Sequence, residues 1–242
     1  MHFIVPQWPA PENVRAVQTV RTGGCSLPPW ASFNLAGHVG DDPAHVAANR
    51  QLLAAQLPYP PCWLEQVHGT TVVDAAAAPS GSIADASFSH GPGSVCVVMT
   101  ADCLPVLFCA RNGSAVAAAH AGWRGLQAGV LEQTLAALAV PPEDVLAWLG
   151  PAIGPENFEV GEEVRAAFMA TDGEAQRAFR PGAPGKWWCD LYFLARQRLE
   201  KAGVRHIYGG EECTVADSAR FFSYRRDGVT GRMASLIWLQ PT

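Results

Sequence analysis

Three short stretches of the sequence each place a metal-competent side chain where an apolar run meets a turn. They are "EQVHG" with His68, "TADCLP" with Cys103 and "AAAHAGWRG" with His120. Two imidazoles and one thiolate suit tetrahedral zinc, and three protein ligands leave a fourth position for water or substrate, as in catalytic zinc sites. A histidine beside a glycine is also common in ordinary turns, so the spacing alone leaves both readings open.

The residues beside the candidate ligands are unusual for a purely structural turn. Asp102 lies next to Cys103 within an apolar run, where a buried charge needs a partner. Gly122 and Gly125 permit tight turns and the close approach of a ligand. Arg124 lies between them, near the predicted start of a helix, and both features suit an oxyanion such as phosphate. The alternative is that Arg124 forms an ion pair with Asp102 or another carboxylate.

Three further stretches carry groups that could complete the same site. "RTGGCS" places Arg21 on a glycine turn, and "FFSYRRDGVTGR" combines aromatic residues with three arginines, although "RRDG" is equally typical of a solvated turn. "GPAIGPENFEVG" predicts a rigid loop that holds Glu159. Trp123 or a phenylalanine could stack on a planar base. Candidates for a general acid or base are Asp102, Glu65 and Glu159.

The elements that must position these residues alternate irregularly along the chain. Apolar runs predict strands in "VRAVQTV", "TTVVDA", "GSVCVVMT", "PVLFCA", "GSAVAAAH", "DVLAWLG" and "GRMASLIWL". Helical periodicity and capping residues predict helices in "DDPAHVAANRQLLAAQL", "GLQAGVLEQTLAALAV", "VGEEVRAAFMA" and "DLYFLARQRLEKAG". This order predicts an α+β fold with mixed sheets, in which strand ends could bring the three candidate ligands to one sheet edge.

Composition limits the class of protein. Of the 242 residues 49% are apolar and 16% are charged, so a sizeable core can be buried. A net charge of -5 argues against a nucleic-acid partner. Seven cysteines without a CxxC pair argue against a disulfide framework. Neither a signal peptide nor a bilayer-length apolar run is apparent, which predicts a cytoplasmic protein without a membrane partner. We expect one domain over residues 1–242.

Six motifs occur in order between Arg21 and Leu239: "RTGGCS…FNLAGHVGDD", "QVHG", "MTADCLPVLF", "HAGWRG", "GPAIGPENFEVG" and "CT…FFSYRRDGVTGR". This series resembles the laccase-domain family, also called the multicopper polyphenol oxidase family. The resemblance implies a mixed β-sheet sandwich flanked by helices, similar to the catalytic domain of cytotoxic necrotising factor. One departure is "SIADASFSH", which is more polar than the "DALVT"-like strand usual there. We expect it to affect packing near Asp85 more than the metal ligands.

The resemblance also implies a set of site residues. His68, Cys103 and His120 would form a zinc (Zn²⁺) triad and would be the catalytic residues. Substrate binding would fall to Arg21, Asn34, Arg124 and Arg225. Family members are assigned purine nucleoside phosphorolysis, adenosine deamination and methylthioadenosine phosphorolysis, so the implied partners are a purine nucleoside and phosphate.

Other functions remain open at this stage. Another assignment in the family, the editing of peptidoglycan precursors, suggests a cysteine-type amidase with Cys103 as nucleophile and His120 as base. A non-enzymatic binding protein with a structural zinc is a further alternative. Polyphenol oxidation is disfavoured, because seven histidines and no His-x-His pair are too few for a multicopper cluster. The zinc-deaminase signature H-x-E…P-C-x-x-C is missing as well.

Overall fold

The computed structural model, which describes residues 2–241, contains two large β-sheets with helices on their outer faces. The strands are β1 (Phe3–Ile4), β2 (Val14–Thr19), β3 (Pro61–Cys62), β4 (Leu64–Glu65), β5 (Val72–Asp74), β6 (Ser82–Ile83), β7 (Ala86–Ser89), β8 (Val95–Thr100), β9 (Leu104–Ala110), β10 (Val116–Ala121), β11 (Val145–Leu149), β12 (Glu159–Gly161), β13 (Phe179–Pro181), β14 (Lys186–Cys189), β15 (His206–Gly209) and β16 (Met233–Leu239). The α-helices are α1 (Pro43–Ala54), α2 (Trp123–Ala128), α3 (Val130–Leu138), α4 (Glu162–Thr171), α5 (Leu191–Lys201) and α6 (Tyr224–Asp227). Short 3₁₀ helices span Pro142–Asp144 and Gly173–Ala178.

The two large sheets pack face to face. One has the strand order β1-β2-β16-β8-β3 and the other β15-β11-β9-β10-β7-β5. Each contains both parallel and antiparallel pairs, so the predicted α+β fold with mixed sheets is confirmed. Val98 and Ile237 of the first sheet share a buried cluster with Leu107 and Val116 of the second. Burying these alternate apolar side chains between the sheets stabilises the sandwich.

Helices cover both outer faces of the sandwich. Asp42 caps the start of helix α1, since its carboxylate accepts a hydrogen bond from Ala44 N at 2.8 Å. Leu53 of this helix packs on the five-stranded sheet. Helices α3 and α5 bury Leu131 and Leu194 in the core on the outer side of the six-stranded sheet. In residues 2–241, no helix has both the length and the apolar character needed to cross a bilayer.

The amphipathic helix predicted from "GLQAGVLEQTLAALAV" is divided into α2 and α3. Gly129 separates them with φ at 105°, and its N–H donates to the carbonyl oxygens of Gly125 and Leu126. This left-handed conformation, which favours glycine, ends a helix. The break divides the segment into two helices, and α3 lies against β7 and β10.

The strand connections bring the three candidate ligands to one end of the sandwich. The turn at 101–103 carries the chain from β8 in one sheet to β9 in the other, and Cys103 ends this turn. His120 lies at the end of β10, paired with Pro105 at the start of β9. His68 lies in the loop between β4 and β5. The ends of antiparallel neighbours β9 and β10 thus place Cys103 and His120 side by side.

Candidate metal centre and active site

The two imidazoles and the thiol of the predicted triad lie together. One ligand atom from each of His68, Cys103 and His120 lies within 4.8 Å of the others. The distance from Cys103 Sγ to His68 Nε2 is 3.7 Å. Ligands of a tetrahedral zinc, at about 2.0 Å for nitrogen and 2.3 Å for sulfur, are themselves about 3.5 Å apart. This group could therefore bind one metal ion.

Asp85 orients both histidines of the triad. Its Oδ1 accepts hydrogen bonds from His120 Nδ1 at 2.8 Å and from the backbone N–H of His68 at 2.9 Å. Its Oδ2 accepts from Gly69 N at 2.7 Å. A carboxylate bonded to one ring nitrogen leaves the other nitrogen, here His120 Nε2, available to a metal. These bonds also hold His68 at φ 61°, a left-handed conformation that costs energy in a residue other than glycine.

The expectation for the polar "SIADASFSH" stretch concerned packing near Asp85 and stays a prediction. The structure adds that the Asp85 carboxylate itself contacts two of the candidate ligands directly. The carboxyl group is fully buried, and a buried carboxylate requires partners of this kind. The available signal in the sequence was the single acidic residue among small and apolar residues.

Two glycines allow the ligand turns to approach one another. A Cβ atom on Gly122 would lie 2.8 Å from the His68 ring and 3.0 Å from Cys103 Sγ. A Cβ atom on Gly125 would lie 2.9 Å from the carbonyl oxygen of Gly69. Side chains at these positions would push the triad apart. The sequence suggested that these glycines allow the close approach of a ligand, and in the structure they allow the close approach of other segments of the protein.

Without a metal, the neighbouring imidazoles favour the thiolate form of Cys103. Burial favours a raised pKa of the Cys103 thiol, but the hydrogen bond and charge of His120, followed by those of His68, lower that pKa to about 6. Burial favours a lowered pKa of His120, but Asp85 and the thiolate raise it to about 9. The thiolate is the form of cysteine that binds metals.

Asp102 ties the C-terminal segment to the turn that carries Cys103. Its Oδ1 accepts from Thr214 Oγ1 at 2.5 Å, and its Oδ2 accepts from Ser223 Oγ at 3.1 Å and Arg225 N at 2.6 Å. Asp102 itself has φ at 90°, so its backbone is strained as well. Because both oxygens bind groups of the protein, this network favours a positioning role over that of a general acid or base.

A cavity of about 370 Å³ opens beside the triad. We call it the basic cavity; apart from the triad, its lining consists of His38, Gln66, Met99, Thr100, Ala101, Tyr224 and Arg232. Arg232 Nη1 donates to the carbonyl oxygens of Thr230 and Gly231, while Nε and Nη2 have no partner within residues 2–241. Burial, followed by the charges of Arg232 and Arg50, lowers the pKa of His38. A guanidinium with free donors on the lining of a cavity suits an anion.

Neither Arg232 nor His38 was singled out from the sequence. Arg232 is one of three arginines in "FFSYRRDGVTGR", and His38 lies in "FNLAGHVGDD". Nothing in the spacing distinguishes either residue from its neighbours. Only the folded chain brings both side chains to the lining of the basic cavity.

Two of the four predicted substrate-binding residues hold loops near the site. Arg21 donates to the carbonyl oxygens of Ala31 and Ser218. Asn34 is fully buried, and its Oδ1 accepts from the backbone N–H of Arg232 at 2.9 Å. Neither residue belongs to the lining of the basic cavity. A substrate-binding role for Arg21 and Asn34 stays a prediction.

The other two predicted residues lie near Trp123 and Phe158. Arg124 is exposed, with its guanidinium 4.4 Å from the centre of the Trp123 ring. The alternative ion pair with Asp102 is not formed, since the oxygens of that carboxylate bind other partners. Arg225 lines a second cavity of about 140 Å³ together with Trp123 and Phe158.

Comparison with known proteins agrees with the motifs. Residues 15–240 match a family described as multi-copper polyphenol oxidoreductase laccase. The chain is 59% identical over 240 residues to "Purine nucleoside phosphorylase YfiH" of Escherichia coli strain K12, which covers 98% of both chains. It is 57% identical to "Purine nucleoside phosphorylase PA4543" of Pseudomonas aeruginosa, again over 98% of both.

Solved structures show the same fold. Neisseria meningitidis protein NMB0706 matches with a TM-score of 0.98 and 52% identity over 100% of both chains. YlmD from Geobacillus stearothermophilus matches with a TM-score of 0.89 and 34% identity, covering 99% of this chain and 100% of the other. Both matches extend over the strands and turns that carry the triad.

Proposed function

Because the chain belongs to the family described as multi-copper polyphenol oxidoreductase laccase, and its relatives are named purine nucleoside phosphorylases, we propose that it is a zinc-dependent purine nucleoside phosphorylase. The observation that carries this proposal is the group of His68, Cys103 and His120 beside the basic cavity. The proposal includes the adenosine deaminase and methylthioadenosine phosphorylase activities implied by the sequence resemblance. The cytoplasmic location stays a prediction.

Zinc is the metal that the donor set favours. His68, Cys103 and His120 would hold it, and mixed imidazole and thiolate ligands in a tetrahedral arrangement are typical of zinc. The bound ion would supply Lewis-acid chemistry at the reacting bond. A multicopper cluster needs many more imidazoles, and among residues 2–241 these three form the one such ligand group. Polyphenol oxidation therefore stays disfavoured.

Phosphorolysis requires a site for phosphate next to the nucleoside. The reaction breaks the bond between ribose C1′ and the purine nitrogen, forms a bond from C1′ to a phosphate oxygen, and leaves a proton on the purine. We assign phosphate binding to Arg232, whose Nε and Nη2 have no partner in the described part of the chain. A guanidinium can bind two phosphate oxygens at once. His38, on the same cavity, would contribute a further hydrogen bond.

A cysteine-type amidase that edits peptidoglycan precursors is the second candidate. The observation that favours it is that Cys103 lies near His120, whose ring is in turn hydrogen-bonded to Asp85. These three side chains could act as nucleophile, base and orienting carboxylate. The sulfur would attack an amide carbonyl, and His120 would transfer a proton to the leaving amine. Such an enzyme needs the cysteine free of metal, whereas the phosphorylase needs it bound.

Product analysis tests the proposal. Purified protein of known metal content would be incubated with adenosine, with and without phosphate, and the products identified by mass spectrometry. We expect adenine and ribose 1-phosphate only when phosphate is present, and inosine with or without it. Chelation should abolish both reactions, and added zinc should restore them. Full nucleoside cleavage by metal-free protein, or none by zinc-loaded protein, would contradict the proposal.

A further inference from the structure

A second cavity adjoins the basic cavity at the triad. We call it the aromatic cavity; its lining includes the apolar and aromatic side chains of Trp123, Ile153, Phe158 and Leu191 together with the charged residues Asp102 and Arg225. It shares Ala101, Cys103 and Tyr224 with the basic cavity. A ligand that spans both cavities would therefore pass Cys103, and the bond between its two parts would lie at the candidate metal centre.

The lining of the aromatic cavity suits an uncharged ring. Ile153 and Leu191 are buried, and the Phe158 ring has the Arg225 guanidinium 5.4 Å from its centre. The Asp102 oxygens are bonded within the protein, and Arg225 Nη1 donates to the carbonyl oxygen of Glu159 at 3.0 Å. A planar ring would gain apolar and aromatic contacts here, and Arg225 Nε and Nη2, which have no partner within residues 2–241, could donate to its nitrogen or oxygen atoms.

The sizes of the two cavities limit what each can hold. Sites for whole small molecules usually measure about 300 to 1,000 Å³. At about 370 Å³ the basic cavity lies in that range. The aromatic cavity, at about 140 Å³, does not, and has room for one ring system rather than an entire nucleoside.

We infer that the aromatic cavity is the subsite for the purine base, and that ribose and phosphate occupy the basic cavity. This inference rests on the proposed function, in which phosphate forms a bond to C1′ as the base leaves. Separate places for the entering phosphate and the departing base are what that displacement needs. The two cavities provide them on a shared floor of Ala101 and Cys103.

Wild-type protein offers a test that needs no substitution. Binding of a free purine base to the zinc-loaded enzyme would be measured by titration calorimetry at zero and at saturating phosphate. If the base and phosphate occupy different cavities, both bind at once and phosphate leaves the dissociation constant of the base within about twofold. Mutually exclusive binding of base and phosphate would overturn the inference.

Matched substitutions locate the base. Phe158→Leu should weaken base binding, while Phe179→Leu should not, since Phe179 is about as buried (7% exposed against 9%) but lies outside the cavity. Trp187→Leu is the control for Trp123→Leu, because in both cases an arginine guanidinium lies over the tryptophan ring, 4.4 Å from the ring centre at Trp123 and 4.2 Å at Trp187. Lost aromatic contacts predict a base dissociation constant about two- to tenfold higher, with an unchanged KM for phosphate.

The outcomes separate the subsite from the proposed function. Phe158→Leu and Trp123→Leu proteins that retain zinc but bind the base as the wild type does would refute the subsite. So would an effect confined to methylthioadenosine, since the cavity would then hold the methylthio group. If the wild type binds the base through these residues but cleaves no nucleoside, the proposed function fails while the assignment of the ring to the aromatic cavity stands.

Discussion

Asp85 Oδ1 accepts a 2.8 Å hydrogen bond from His120 Nδ1, and the two side chains are buried together at the end of the sandwich. The same oxygen accepts the backbone N–H of His68 at 2.9 Å. One carboxylate thus fixes the ring of one candidate ligand and the backbone of another. Metal affinity should depend on Asp85 although it is not itself a member of the ligand group.

Asp85→Asn should weaken metal binding without emptying the site. The amide keeps the size of the side chain but loses the charge, and its NH₂ group would face backbone N–H groups that now donate to the carboxylate. We expect zinc affinity to fall about 10- to 100-fold, measured by competition with a chelator. Asp74→Asn, on an exposed residue of β5, is the control. Equal zinc affinity in the Asp85→Asn and wild-type proteins would contradict the orienting role.

Removal of zinc should expose Cys103 to alkylation. A thiolate bound to metal reacts slowly, whereas the same thiolate freed by chelation should be labelled quickly. Peptide mapping would locate the label. Cys25 is exposed and should react in both states, while burial raises the pKa of Cys96 and Cys109 to about 12 and should protect both throughout. Full activity together with rapid labelling of Cys103 in metal-free protein would favour the amidase.

Arg232→Lys should raise the KM for phosphate. Lysine keeps the charge but loses the planar pair of donors that would face the basic cavity. We expect an increase of about tenfold, with little change in the KM for the nucleoside. Arg124→Lys is the matched comparison, because Arg124 is exposed and lies over the Trp123 ring. If only Arg124→Lys raised the phosphate KM, the assignment made from the sequence would be correct and Arg232 would be excluded.

Gly122→Ala should disrupt the candidate metal centre. The added methyl group would lie 2.8 Å from the His68 ring and 3.0 Å from Cys103 Sγ, so at least one ligand must move. We expect the zinc content of purified protein to fall well below one ion per chain, while the circular dichroism spectrum stays that of the wild type. Gly91→Ala serves as control, since a Cβ atom there meets open space. Full zinc content in Gly122→Ala protein would show that the triad tolerates the displacement.

Much of the fold follows from interactions within a few residues of the chain. The apolar run "VCVVM" forms most of β8, and Asp42 and Asp190 cap helices whose starts they predicted. Capping and periodicity are local, so a single sequence contains them. The helix predicted across Gly129 shows the limit, because the tertiary packing of α2 and α3 selects the left-handed conformation that glycine permits.

The sequence by itself determined the ligand types of the candidate metal centre, since His68, Cys103 and His120 could be recognised from their motifs. Only the tertiary structure decided which residue orients these ligands and which side chains line the cavity beside them. Asp85 lies 35 positions from His120, and Arg232 comes from the far end of the chain. Their placement depends on the pairing of distant strands, and a hydrogen bond or a cavity formed between such segments leaves no pattern within either segment.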